Sequence, residues 1–224
     1  MKFVLICWLA LCLPWALQGK EYHASLFGVK SDGITLNSRS IQKAVDFIQE
    51  KGGGTLVFSV GRYLTGSIRL KSNVMIELRE GAVLVGASSP YDYISVGGVR
   101  ALIVAEGEQN VGVFGKGVID GQGKGLVASL TTQIQKGYLP ETISQASPAL
   151  VAMKGCKSVT VTGLHLQDAA GSALSFTDCS QVALTDLWIK NQAVPNMRGL
   201  VQSNCVDLVA TRVMNDLVAS GKKP

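Results

Sequence analysis

Toward the end of the chain, apolar and polar residues alternate in three segments that align on their cysteines: LVAMKGCKSVTVTGLHLQD, ALSFTDCSQVALTDLWIKN and GLVQSNCVDLVATRVMNDL. Cys156, Cys179 and Cys205 stand 23 and 26 residues apart. Three residues after each comes Val159, Val182 or Leu208, and eight after each comes Leu164, Leu187 or Val213. Between them, Val161, Leu184 and Ala210 keep the period-2 alternation of a half-buried strand. Recurrence of short strands with a period in the twenties marks a solenoid of stacked β-coils. Like positions in such a stack lie above one another, so the cysteines are expected to form an internal ladder of small apolar side chains.

The pattern upstream reads as the start of the same pile. Leu26, Phe27 and Val29 predict a short strand turned by Ser31-Asp32-Gly33. Asn37 or Ser38 then caps a helix whose Ile41, Ala44, Val45 and Ile48 share one face, and Gly52-Gly53-Gly54 stops it. One amphipathic helix ahead of a β-solenoid is expected to cover the open end of the first coil. Short strands follow, with inward faces expected at Leu56/Phe58, Tyr63/Leu64, Ile68/Leu70, Val74/Ile76/Leu78 and Val83/Val85. Residues 101–123 form a further coil, because Leu102 to Val111 spans the same distance as Leu150 to Val159. Residues 124–148 lose strand alternation. Leu126, Leu130 and Ile134 suit a helical excursion, read as a lid or wall beside a groove, since insertions in solenoids leave from one face and border the binding surface.

Composition narrows the class. The 224 residues are 47% hydrophobic and 17% charged with 25 glycines, which suits one domain with a continuous core. The net charge of +5 is compatible with an acidic polymer as partner, and scattered surface Lys and Arg explain it equally. No basic run interleaved with aromatics occurs, so nucleic acid is not expected. Residues 1–19 have the basic start, apolar run and polar exit of an export leader; the run is short for a membrane span, and Leu11 before Cys12 argues against a lipoprotein. Export to a secreted or periplasmic location is expected, with no membrane partner after leader removal, leaving residues 20–224 as one β-helix domain. The remaining Cys156, Cys179 and Cys205 are odd in number and read as buried free thiols. No metal or cofactor is expected, because His23 and His165 have no partner at ligand spacing. The chain ends at Gly221-Lys222-Lys223-Pro224 directly after the third cysteine coil, so missing C-terminal coils or a covering partner is expected.

Several stretches together resemble the amino-terminal part of glycoside hydrolase family 28, the polygalacturonase-like pectinases: LFGVKSDGITLNSRSIQKAVD, GGGTLVFSVGRYLTGSIRLKSNVMIELREGAVLVGASSPYDY and NVGVFGKGVIDGQG. The resemblance runs from about Ser25 to Asp216. It implies an all-β, right-handed parallel β-helix and inverting hydrolysis of pectic polysaccharides, polygalacturonan or rhamnogalacturonan. That chemistry needs one carboxylic acid at the glycosidic oxygen and a carboxylate on the far side to activate water.

The family's catalytic motifs do not carry over intact. The Asn-Thr/Asn-Asp motif falls on Asn196-Met197-Arg198, so Asn196 survives and Arg198 stands at the Asp position; the following Gly-Ile-Asp becomes Gly199-Leu200-Val201. Without gaps the Asp-Asp pair lands on Ala219-Ser220, and with a gap on Asn215-Asp216, which makes Asp216 the one catalytic candidate. Asn196 and Arg198 are candidate substrate contacts, and Trp188, outward by alternation, either stacks on a sugar ring or lies under the 124–148 insertion. His165 also points outward, and Asp120, Asp168, Asp178 and Asp186 read as turn residues. Two functions remain open: a pectinase-type hydrolase whose intact relatives invert, inactive as this chain stands, or a non-catalytic carbohydrate-binding or structural β-helix. A polysaccharide lyase would need a base and carboxylate-held calcium, for which Arg198 alone is suggestive.

Overall fold

The computed structural model describes residues 19–191 and 198–217, with Asp216 and Leu217 described by backbone alone. The expected leader, Gly19 excepted, lies outside the described residues, as do Asn196 and Ala219-Ser220. Among the described residues no helix is long and apolar enough to cross a membrane.

The chain enters through β1 (Glu21–His23) and α1 (Ser38–Glu50) and then winds in coils. The first coil holds β2 (Gly54–Phe58), β3 (Gly61–Thr65) and β4 (Ile68–Arg69). The second holds β5 (Val74–Leu78), β6 (Ala82–Gly86), β7 (Ile94–Val96) and β8 (Val99–Glu106). The third holds β9 (Gln109–Gly115), β10 (Val118–Asp120), α2 (Gly123–Gln135), α3 (Ile143–Ala146) and β11 (Ala149–Lys154). The fourth holds β12 (Lys157–Thr162), β13 (His165–Gln167) and β14 (Leu174–Thr177), the fifth β15 (Ser180–Asn191) and β16 (Leu200–Ser203), and β17 (Val206–Leu217) opens a sixth.

Like strands of successive coils pair in parallel, giving three ladders. One runs β1-β2-β5-β9-β12 into the first half of β15, one β3-β6-β10-β13 into its second half, and one β4-β8-β11-β14-β16. β17 continues the first two along the whole of β15. This is a parallel β-helix, as the period indicates. Val111, Val159, Val182 and Leu208 stack in register, and Cys156 and Cys179 are buried with Cys205 half-buried above them.

Corners follow their own column rule. Asn73, Asn110, Ser158, Gln181 and Asp207 all adopt φ between 53° and 64° where the third ladder hands over to the first. Their short polar side chains tolerate that left-handed turn and bond along the column: Asn110 Nδ2 donates to Asn73 Oδ1 at 2.9 Å, and Ser158 Oγ to Gln181 Oε1 at 2.8 Å. Asp178 at the same hand-over, and Asp168 and Asp186 in other corners, sit at φ 49–54° as turn residues.

α1 buries Ile41, Ala44, Val45 and Ile48 against the first coil, so the expected cap forms on the expected face. Asn37 precedes it, but its side chain does not cap the helix. Its Oδ1 accepts from Lys30 N at 2.8 Å, and its Nδ2 donates to the carbonyls of Lys30, Thr35 and Leu64 at 2.9, 2.9 and 3.2 Å. It pins the entry loop to β3.

Two sequence expectations are corrected. The strand expected at Leu26–Val29 is a 3₁₀ turn over Ala24–Phe27, and the paired strand lies earlier, at Glu21–His23. Pairing with β2 decides it: Tyr22 alone of that strand turns inward, while Leu26 remains exposed. In β6 the residues that enter the main core are Ala82 and Leu84, because Leu84 stands in register with Tyr63 and Ile119. Val83 is half-buried, and Val85 is buried as expected but on the other face, outside that core. A period-2 element shifted by one residue exchanges its faces. Leu64 follows the same logic and lies half-buried outside the core.

Candidate functional site

The outer face of the third ladder changes character along the stack. Its in-register residues are Val104, Ala152, Ser175 and Val201. Val104 and Ala152 are buried with Val96, Ala101 and Ala149 beneath the antiparallel β7–β8 hairpin, a small second core. Where that cover ends, the column becomes Ser175 and Val201 and a groove of about 820 Å³ opens.

One wall of the groove is the 124–148 insertion, which is helical as expected. Leu126 and Leu130 of α2 are buried in the main core, so the wall is anchored by apolar packing. Val127 of α2 and Ile143, Ser144, Gln145 and Ser147 from α3 and its end face the groove. Thr142 and Gln145 close a capping box on α3, with Thr142 N donating to Gln145 Oε1 at 3.1 Å. Arg100 of β8 grips Glu141 with both guanidinium nitrogens at 2.9 Å, and this pairing holds the Glu141 carboxyl below its ordinary value. Tyr93 donates to Ala87 O at 2.7 Å below the insertion; burial, reinforced by Asp92, pushes its phenol well above the ordinary value, so it stays neutral.

Arg198 stands at the groove mouth with its backbone fixed: Ala173 N donates to Arg198 O at 2.9 Å, and Leu174 N to Gly199 O at 3.0 Å. Gly199 packs closely on the next coil, since a Cβ there would lie 2.7 Å from Asn215 Oδ1. The segment bearing Arg198 therefore packs on Ile189 and Asn215. Among the described lining residues Arg198 is the one charged side chain, and no Asp or Glu takes part.

The remaining candidates are dispersed. Asp216 pairs by backbone with Lys190 on β15. Trp188 is 41% exposed on the outer face of the second ladder, with its ring centroid 5.0 Å from that of His165, and it is not a lining residue of the groove. Asp120 accepts from Gln122 N at 3.0 Å in a local turn and faces Arg62 at 3.9 Å. Among the described residues no three His, Cys, Asp or Glu side chains gather as a metal site would require. Sequence reasoning missed the polar lining at Ser144, Gln145, Ser172 and Ser175. Serines carry no periodic signal, and only contact with the insertion marks them.

A family model for glycosyl hydrolases family 28 matches residues 54–216. The exo-poly-alpha-D-galacturonosidase of Dickeya chrysanthemi is 25% identical over 84% of this chain and 35% of its own length. The polygalacturonase of Ralstonia solanacearum is 30% identical over 73% of this chain and 37% of its own. The chain thus spans about a third of the length of these curated relatives. Among solved structures, a protein of Parabacteroides merdae described as a candidate glycosyl hydrolase superposes with a TM-score of 0.75 at 44% identity, over 88% of this chain and 92% of that one. The family 28 exopolygalacturonase of Yersinia enterocolitica superposes at 0.73 with 21% identity, over 84% of this chain and 42% of that one. The matched residues run from the first coil to β17, through the strands that build the groove floor, and place the chain in glycosyl hydrolases family 28.

Proposed function

We infer that this chain recognises an acidic pectic polysaccharide in the groove between the third ladder and the α2–α3 insertion, without hydrolysing it by the groove residues described above. The observation that carries this reading is the charge of the lining: one guanidinium, several serine hydroxyls, the Gln145 amide, and no carboxylate among the described lining residues. A guanidinium matches a uronate carboxylate with two parallel hydrogen bonds. Hydrolysis with inversion needs two carboxyl groups across the bond. The resemblance puts Arg198 at the first of these positions and, for the Asp-Asp pair of the next coil, Ala219-Ser220 or, with a gap, Asn215-Asp216, which leaves at most Asp216. Removing one general acid or base typically costs about 10²- to 10⁴-fold. The polygalacturonase-type names of the relatives support a pectic polymer as ligand. A polymer of that size is met outside the cell, which agrees with reading residues 1–19 as an export leader.

The test is retention of the full chain on immobilised polygalacturonate, together with reducing-end release from the soluble polymer. Salt-sensitive retention and no release above buffer are expected. Release clearly above buffer overturns the non-catalytic reading, and no retention at low salt overturns the recognition itself.

A further inference from the structure

We propose that the outer face of the second ladder, centred on Trp188, is a second contact surface for the same class of acidic glycan, separate from the groove. It rests on the reading that the chain meets such a polymer. In register across three successive coils stand His165, Trp188 and Met214, all facing outward. Trp188 is 41% exposed and Met214 61% exposed. His165 is also exposed, and its ring packs on the indole at 5.0 Å between centroids and 52° between planes. One indole face is thereby steadied while the rest of the ring stays open.

An indole left exposed on a flat sheet holds apolar surface in water that the alternation could have replaced with a polar side chain at no packing loss. Coils are spaced by roughly 4.8 Å, so the His165–Trp188–Met214 row spans about 10 Å along the stack, a length suited to a short run of sugar rings. Two residues further along each strand, the neighbouring column carries Gln167 and Lys190, both half-buried. Among the described residues no hydrogen bond or ion pair holds the Lys190 ammonium. An apolar ring beside an amide and a lysine suits a uronate: the pyranose face on the indole, the carboxylate toward Lys190. Lys190, the cation of this column, points the surface to an anionic rather than a neutral glycan, the choice that the neutral-galactan comparison below decides.

The full chain contains Trp8, Trp15 and Trp188. With Trp8→Phe and Trp15→Phe, the emission of the folded chain reports on Trp188 alone. Titration with oligogalacturonate is expected to shift that emission saturably. Lys190→Gln should weaken the response roughly three- to tenfold, and Arg198→Ala should leave its midpoint unchanged while reducing retention through the groove. No shift with oligogalacturonate overturns the proposal, even where groove retention survives. An equal response to neutral galactan overturns the assignment to acidic glycans. Loss of the response in Arg198→Ala shows that the indole senses the groove and overturns a separate surface. A shift that follows protein concentration without glycan overturns it in favour of self-association.

Discussion

Arg100 and Glu141 join the two sides of the groove. Arg100 belongs to β8, in the ladder that forms the floor, and Glu141 to the segment entering α3, in the wall, and the two meet through a pair of 2.9 Å bonds. Val127 and the buried Leu126 and Leu130 hold the base of the insertion, but α3 is one turn long and depends on its capping box and on this fork. The wall's position is therefore partly an electrostatic choice.

That choice sets a pH response. Arg100 holds the Glu141 carboxyl below its ordinary value, so the pair's contribution is complete above the unfolded carboxylate value near 4.5 and is lost as pH falls through the lower folded value. Hydrogen exchange at residues 141–146 should accelerate on acidification while the coils stay protected. Glu141→Gln should show that faster exchange already at pH 7. Equal protection of this segment in both proteins at pH 7 would show that the fork does not position the wall.

Asp32 provides an internal reference for such a titration. The Thr35 hydroxyl, followed by the backbone N–H groups of Thr35 and Ile34, lowers its carboxyl from 3.8 to about 2. Its stabilising effect is present above pH 4 and lost only as pH falls through about 2. NMR titration should give Asp32 a midpoint near 2, and a midpoint at an ordinary carboxylate value would show that the 32–35 turn is not formed in solution.

Asn37 tests the seam between cap and coil. Its amide donates three bonds and accepts one, at 2% exposure. Asn37→Ala removes the side-chain bonds to Lys30 and Thr35, while Leu64 O keeps the Asn37 backbone N–H, and should destabilise the fold by about 1–3 kcal/mol. Asn37→Asp should cost at least as much, because a carboxylate would face three carbonyl oxygens instead of donating to them. Chemical denaturation of both variants gives the comparison, and a neutral Asn37→Asp would refute this role.

The cysteine ladder shows where the sequence was most legible. Identical spacing to interior positions places Cys156, Cys179 and Cys205 on one column, and helical periodicity at Ile41, Ala44, Val45 and Ile48 locates α1 and its buried face. Legibility failed where period 2 met a nearly uniform apolar run: in AVLVG the residues on both faces are apolar, and only pairing of Leu84 with Tyr63 and Ile119 selects the inward set. The groove was legible as a place, through the insertion, but not as a chemistry. Ser144, Gln145 and Ser175 line it because of how distant segments meet, which no local pattern records.

The same ladder predicts thiol reactivity. Cys156 and Cys179 are buried, with Cys179 Sγ directed at Met153 O and Thr177 O at 3.4 and 3.3 Å. Interaction with Cys156, together with burial, pushes the Cys179 thiol far above its ordinary value, so little thiolate is available. Cys205, half-buried, should alkylate in the native protein, while Cys156 and Cys179 should react only on unfolding. Mass mapping after native labelling decides it: modification of Cys179 at a rate like that of Cys205 would mean that the coils open around the ladder.

Arg198 carries the sharpest functional prediction. As the one charged residue of the described lining, it is expected to supply the interaction that separates an acidic from a neutral polymer. Hydrogen bonds to charged groups are worth about 1.5–3 kcal/mol, so Arg198→Ala should weaken oligogalacturonate binding in the groove roughly 10- to 100-fold. Arg198→Lys should recover only part of it, because a lysine offers a point charge where the guanidinium offers a fork. Arg198→Asp should abolish groove binding through repulsion and restore no turnover, because one introduced carboxylate does not replace the Asp-Asp pair expected on the next coil, of which at most Asp216 remains. Calorimetry with the four proteins, alongside reducing-end assays, tests the series. Binding that is indifferent to the residue at 198 would remove the groove as the site of uronate recognition.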